Sequence, residues 1–104
     1  MASIPTPPLK IVSLPSEHGA RRVRLEGELD IASAPSLRGC LRGIEPMPVL
    51  LELGGLHFID STGLATLLEG RARMIRRGAT LRVRGAHGQA RDVLERTGVL
   101  ALLT

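Results

Sequence analysis

The chain predicts an α/β fold: a single domain with a mixed four- to five-stranded sheet and its helices packed on one face, in the order β-β-α-β-α-β-α. Three observations predict it. Apolar and charged residues alternate over short segments near the start of the chain, as in strands with one solvated face. After Ser33 the apolar period switches repeatedly between helical and extended, and glycines punctuate the ends of the helical stretches. Helices that follow strands in this way return as right-handed crossovers and so gather on one side of the sheet. A length of 104 residues is one domain, large enough to bury a core without disulfides or metals.

Met1 to Pro8 holds three prolines among small residues and reads as a flexible N-terminal tail, with the domain spanning 9–104. Leu9 to Leu14 is short, apolar and β-branched. After a turn over Pro15 to Ala20, the stretch Arg21 to Glu26 alternates, with Arg22, Arg24 and Glu26 on one side and Val23 and Leu25 on the other. The two form a hairpin. From Ser33, the residues Leu37, Cys40, Leu41 and Ile44 follow the spacing of one helix face, with Pro35 in the first turn and Gly43 at the end. Pro48 to Leu53 is an almost unbroken apolar run, as in a strand at the middle of a sheet.

Beyond Gly54-Gly55 and Leu56 to Ile59, a helix is predicted from Ser61 to Arg77. Leu64, Leu67, Leu68, Ala72 and Ile75 make its inner face, Glu69 and Arg73 pair outside, and Gly78 stops it. Thr80 to Arg84 alternates as a last strand. Gln89 to Arg96 is a third helix with Ala90, Val93 and Leu94 inward, closed by Gly98, and the apolar tail Val99 to Leu103 packs down on the core.

Composition narrows the function classes. With one Phe and neither Trp nor Tyr, the core must be built from Leu, Val, Ile and Ala. The lone Cys40 cannot form an internal disulfide, reads as a small buried apolar residue and suits a reducing compartment. No basic cluster followed by an apolar run opens the chain and no stretch approaches eighteen apolar residues, so a cytoplasmic protein without membrane insertion is expected. The net charge of +4 suits nucleic acid, an acidic membrane surface or an acidic protein alike.

The stretch most charged with chemistry is Phe58-Ile59-Asp60-Ser61-Thr62-Gly63-Leu64, between a buried strand and an amphipathic helix. Asp60 or Ser61 can cap the helix, which leaves the Ser61 and Thr62 hydroxyls beside free backbone N–H groups and the positive pole of the helix dipole. A phosphate is well received at such a point. Gly63, lacking a side chain, lets another protein approach the hydroxyls. By itself the same tetrapeptide is also just a helix cap.

The rest of the chain separates these readings. Gly27-Glu28-Leu29-Asp30 closing the second strand, Leu51-Glu52-Leu53 leading into Phe58 to Leu64, and Thr97-Gly98-Val99-Leu100 after the third helix together resemble the STAS domain family, in particular the bacterial anti-sigma factor antagonists. The resemblance runs from about Leu9 to Leu103. It implies that Ser61 is the residue phosphorylated by a cognate anti-sigma factor with serine kinase activity, with Thr62 as a fallback acceptor. It implies further that Asp30, Asp60, Ser61, Thr62 and Gly63 form the surface that meets this partner, and that a phosphatase resets the switch. Unphosphorylated, such a protein binds the anti-sigma factor and releases the sigma factor, a phosphoprotein's role in transcription regulation and stress response. The alternative within the family is a phosphorylation-independent accessory subunit of a membrane transport complex, or a signalling scaffold. Many family members carry a further C-terminal helix, which is not expected in a chain ending at Thr104.

Other functions find less support. His57, Asp60 and Ser61 are neighbours in sequence, and neighbours seldom converge as a triad, so no catalytic residues are assigned and no enzyme is expected. His18, His57, His87 and Cys40 lack metal-ligand spacing, and Gly85-Ala86-His87-Gly88 lacks the Lys-Ser/Thr of a phosphate loop, so neither metal nor cofactor is implied. Arg21, Arg22, Arg24, Arg82 and Arg84 can gather on the open sheet face, but no aromatic residues interleave with them for base stacking, and direct nucleic-acid binding is not expected.

Overall fold

The hairpin predicted at the start of the chain forms, and it is longer than its sequence signature. In this computed structural model, which describes residues 8–104, β1 (Leu9–Glu17) and β2 (Ala20–Leu29) pair antiparallel around a two-residue turn at His18 and Gly19. Both turn residues have positive φ, +50° and +77°, the backbone that matches the natural twist of the strands. The strand thus continues through Pro15 and Ser16, which bulge out of the ladder between the pairs Leu14–Arg22 and Glu17–Ala20. Pro15 is tolerated there because β1 is an edge strand.

The chain continues as α1 (Ala34–Arg42), β3 (Val49–Ile59), α2 (Ser61–Arg76), β4 (Leu81–Arg84), α3 (Gly88–Arg96) and α4 (Val99–Leu103). The sheet has four strands in the order β1-β2-β3-β4, with β2, β3 and β4 mutually parallel. The apolar run at 49–53 does lie mid-sheet. Gly54-Gly55 does not end that strand: β3 runs on to Ile59 while its register with β2 shifts between Arg24 and Glu26 and again between Gly27 and Glu28. Each shift is a bulge that keeps Leu53, Leu56 and Ile59 pointing inward despite their spacing of three.

All the helices cover one face. Val23, Leu25, Leu51, Leu53, Leu81 and Val83 of the sheet meet Leu37, Leu41, Leu67, Met74, Ala90, Leu94 and Leu103 of the helices in one core. The opposite face carries Arg22, Arg24, Glu52, Arg82 and Arg84 and no helix among the described residues.

Four expectations change. The buried stripe of α2 is Gly63, Thr66, Leu67, Gly70 and Met74, while Ile75 is 49% exposed. The helix faces its neighbours with its smallest residues because they come closest there: a Cβ on Gly70 would stand 2.7 Å from Leu41 Cδ1 of α1. Glu69 consequently pairs with Arg38 across the α1–α2 contact at 3.1 Å instead of with Arg73. Cys40 is half-buried, on the flank of α1 and not in its core stripe. Val99 to Leu103 is a short helix of its own, seated on the core through Val99 and Leu103. As for the tail, residues 1–7 lie outside the described part, and Pro8 is fixed, its carbonyl accepting the Glu28 N–H at 2.5 Å over Gly27. Gly27 has φ +107°, and a side chain there would overlap the Pro8 carbonyl.

Candidate functional site

The parallel strands β2, β3 and β4 all point their C-terminal ends at one rim of the sheet, and the loops there hold the sequence-predicted residues. Such rims are where α/β sheets present sites, because the following helices start there with free N–H groups.

Asp60 organises the rim. As N-cap of the 16-residue α2 it has extended backbone, and its Oδ1 accepts the Gly63 N–H at 2.8 Å. Its Oδ2 accepts the Ile31 N–H at 3.0 Å, and its own N–H donates to Leu29 O at 3.2 Å. One carboxylate therefore clasps the β2–α1 loop to the start of α2. Asp30 works inside its own loop: Oδ1 accepts the N–H groups of Ala32 and Ser33, both at 3.0 Å, and the Ser33 hydroxyl at 3.1 Å. The single proton of that hydroxyl is shared between Oδ1 and Glu28 O, the latter at 2.8 Å, and its oxygen accepts the Asp30 N–H at 2.9 Å, which satisfies the buried Ser33 at the head of α1.

With Asp60 as the cap, Ser61 is the first residue of α2, exposed, and its hydroxyl makes no hydrogen bond among the described residues. Thr62 beside it is half-buried. Asp60, Ser61 and Thr62 are thus brought together with the Asp30 loop. Gly63 is not on this surface. It is buried, and a Cβ on it would overlap the Leu29 carbonyl oxygen and stand 2.8 Å from Leu29 Cγ. The space it leaves faces inward, where it lets α2 sit close on β2, and not outward to a partner.

Three residues of the rim escaped the sequence reading. Ile31, 73% exposed, is held by the Asp60 clasp, and Phe58, 38% exposed, projects from the end of β3. Phe58 is a large apolar residue at an outward position beside the buried Ile59, which was an available signal, whereas Ile31 continues the inward parity of Val23, Leu25 and Leu29 past the end of β2 and its exposure is set by the loop. Gln89 is the third. β4 ends at Arg84, so the end of β3 has no strand partner there, and the Gln89 side chain takes that place. Its Oε1 accepts the Ile59 N–H at 2.9 Å and its Nε2 donates to Ile59 O at 3.0 Å. This amide clamp fixes the residue before Asp60.

On the open sheet face, Arg22, Arg24, Arg82 and Arg84 do collect, but Arg21 points to the helical side. Glu52 accepts from Arg22 at 3.1 Å and from Arg84, Glu17 lies 3.5 Å from both arginines, and Arg24 pairs with Glu26 at 3.7 Å. Burial tends to raise the Glu52 carboxyl, but the hydrogen bonds from Arg84 and Arg22 outweigh it and hold the group below its usual range. Such a face is largely self-neutralised. Burial raises the Cys40 thiol, opposed by the nearby Arg21.

The sequence profile described as "Mlab, STAS domain" matches residues 12–104. No curated protein sequence matches the chain. Among solved structures, the chain is similar to a sulfate transporter family protein from Wolinella succinogenes, at 25% identity and TM-score 0.73, over 88% of this chain and 76% of that one. It shares its fold with the anti-sigma factor antagonist SpoIIAA of Bacillus in its unphosphorylated form, at 21% identity and TM-score 0.67, over 88% and 84%. An anti-sigma factor antagonist from Mycobacterium paratuberculosis likewise shares the fold, at 24% identity and TM-score 0.64, over 90% and 83%.

Proposed function

The chain belongs to the STAS domain family, and from that premise we propose that it is a cytoplasmic binding protein, an anti-sigma factor antagonist switched by phosphorylation of Ser61. The observation that carries the reading is the Ser61 hydroxyl itself: exposed at the first position of a long helix, and free because Asp60 has taken over the capping. A residue so placed can gain a phosphate without disturbing the fold. The helix N-terminus accepts the new charge locally.

In the unmodified form, the rim formed by the Asp30 loop, Asp60, Ser61 and Thr62 docks on a kinase-type anti-sigma factor, with Ile31 and Phe58 as apolar anchors in its pockets. Phosphorylation adds about 1.5 to 2 negative charges beside the Asp30 and Asp60 carboxylates. Repulsion and the cost of desolvating the phosphate then oppose docking, and about 3 kcal/mol weakens binding roughly a hundredfold. The partner's kinase activity writes the signal and a phosphatase erases it.

The test is binding of Ser61→Ala and Ser61→Asp to a kinase-type anti-sigma factor from the same cells. Ser61→Ala should bind like the unmodified protein, Ser61→Asp about a hundredfold more weakly. Equal binding by the two variants would sink the switch. The likeness to a sulfate transporter family protein favours a second reading, a phosphorylation-independent accessory subunit of a membrane transport complex. In that case the native protein co-purifies with a transport ATPase, and its Ser61 carries no phosphate under any growth condition.

A further inference from the structure

Between α1 and α2 lies an open cleft of about 200 Å³ whose lining includes Arg38, Arg42, Arg73 and Arg76 and one carboxylate, Glu69. Arg38 is held by the Glu69 carboxylate at 3.1 Å. Arg42, Arg73 and Arg76 form no ion pair among the described residues. The Arg73 Nε is moreover buried without a hydrogen-bond partner, an arrangement that folded proteins rarely leave standing.

The plainest account of these residues is that they oppose the helix dipoles. Arg42 lies in the last turn of α1, Arg73 and Arg76 in the last turn of α2, and cations are favourable there. The magnitudes do not balance. Two helix C-termini together amount to about one negative charge, against three guanidinium charges that no carboxylate matches. About two positive charges are left over, which matches a phosphate group in its dianionic form. No aromatic side chain lines the cleft, so it has no aromatic platform for a base, and its recognition elements are the guanidinium charges. The surplus of guanidinium charge makes a phosphate the group recognised.

We propose that the α1–α2 cleft binds a phosphate- or diphosphate-bearing compound through Arg42, Arg73 and Arg76, whose planar forks suit paired phosphate oxygens. Arg73 lies twelve residues from Ser61 along α2, about 18 Å down the helix axis, so the cleft is separate from the rim and stands whether or not Ser61 is a switch. Such a compound bridges α1 and α2 and neutralises their C-terminal turns.

The test is a titration of the isotope-labelled full chain with sodium pyrophosphate at constant ionic strength, following the amide signals of Leu41, Thr66 and Gly70. Saturable shifts confined to α1 and α2 are expected. Arg42→Gln with Arg76→Gln, both at exposed positions, should weaken binding about ten- to a hundredfold, while Arg91→Gln with Arg96→Gln on α3 removes the same charge and should change it less than about twofold. Shifts spread over the whole basic surface, or equal weakening in the two double variants, would overturn the site. Sedimentation with phosphatidic acid vesicles that pyrophosphate reverses would assign the group to a lipid headgroup. Pyrophosphate binding without vesicle binding would assign it to a free phosphate compound.

Discussion

Replacing Gly63 by alanine separates two roles for a glycine in the first turn of α2. If its lack of a side chain served an approaching partner, alanine would leave the fold intact and even raise stability, because alanine is favoured over glycine inside a helix by up to about 1 kcal/mol. The structure requires the opposite sign. A Cβ at this position would overlap the Leu29 carbonyl oxygen and stand 2.8 Å from Leu29 Cγ and 3.0 Å from Ile59 Cγ1. That carbonyl belongs to β2, in the interior of the sheet, so relief must come from lifting the start of α2. Overpacking costs about 1–3 kcal/mol; a clash with a backbone oxygen falls in the upper part of that range, about 2–3 kcal/mol, and after a helix-propensity gain of about 1 kcal/mol a net loss of about 1–2 kcal/mol is left. For a domain of this size each 1 kcal/mol moves the melting temperature by about 4–8 °C, so Gly63→Ala should melt about 4–16 °C lower. Gly39 provides the control on α1, where a Cβ would meet nothing within 4 Å. Gly39→Ala should melt about 2–8 °C higher, through the propensity term alone. The assay is thermal unfolding followed by circular dichroism. A Gly63→Ala protein as stable as the parent or more so would refute the inward role and restore the outward one.

Two further outcomes follow from the same geometry. Gln89→Ala removes both partners of the Ile59 backbone, a buried residue, and should cost about 2–4 kcal/mol; hydrogen exchange checks it directly, because the Ile59 amide should lose its protection, and unchanged protection would mean that the clamp is not formed. Glu52→Gln tests the ion network of the open face. The Glu52 carboxyl is held below its usual range in the folded state by Arg84 and Arg22, so its contribution is fully present above the unfolded carboxyl value near pH 4.3 and is lost as pH falls through the lower folded value. The parent should therefore exceed the variant in stability at neutral pH by a margin that shrinks steadily below about pH 4, as read from denaturant unfolding at a series of pH values.

The elements of this protein are written locally. Alternation at Val23 and Leu25, and again at Leu81 and Val83, specifies strands with one buried face because side chains in a strand point to opposite sides in turn. The helical spacing of Leu37 and Leu41 and of Ala90 and Leu94 specifies the helices that cover them. Asp60 before Ser61 is readable as a cap, since the bond it makes reaches only three residues along the chain. What stayed hidden depends on residues about thirty positions apart, which sequence spacing does not bring together. The inner face of α2 is set by how closely Leu29 and Leu41 approach Gly63 and Gly70, so the leucine pattern pointed a little aside of it. The second bond of Asp60, to Ile31, and the clamp of Gln89 on Ile59 exist only because parallel strands bring their ends to one rim. The same holds for the arginines: the register of β2, β3 and β4 sets Glu52 between Arg22 and Arg84, while the packing of α1 on α2 leaves Arg42, Arg73 and Arg76 facing one cleft whose single carboxylate, Glu69, is taken by Arg38. Sequence determines which segments form and which side of each strand is apolar, because those are short-range preferences; which charges meet, and which are left to attract a ligand, is decided by tertiary packing, because Coulomb interactions depend on distance in space.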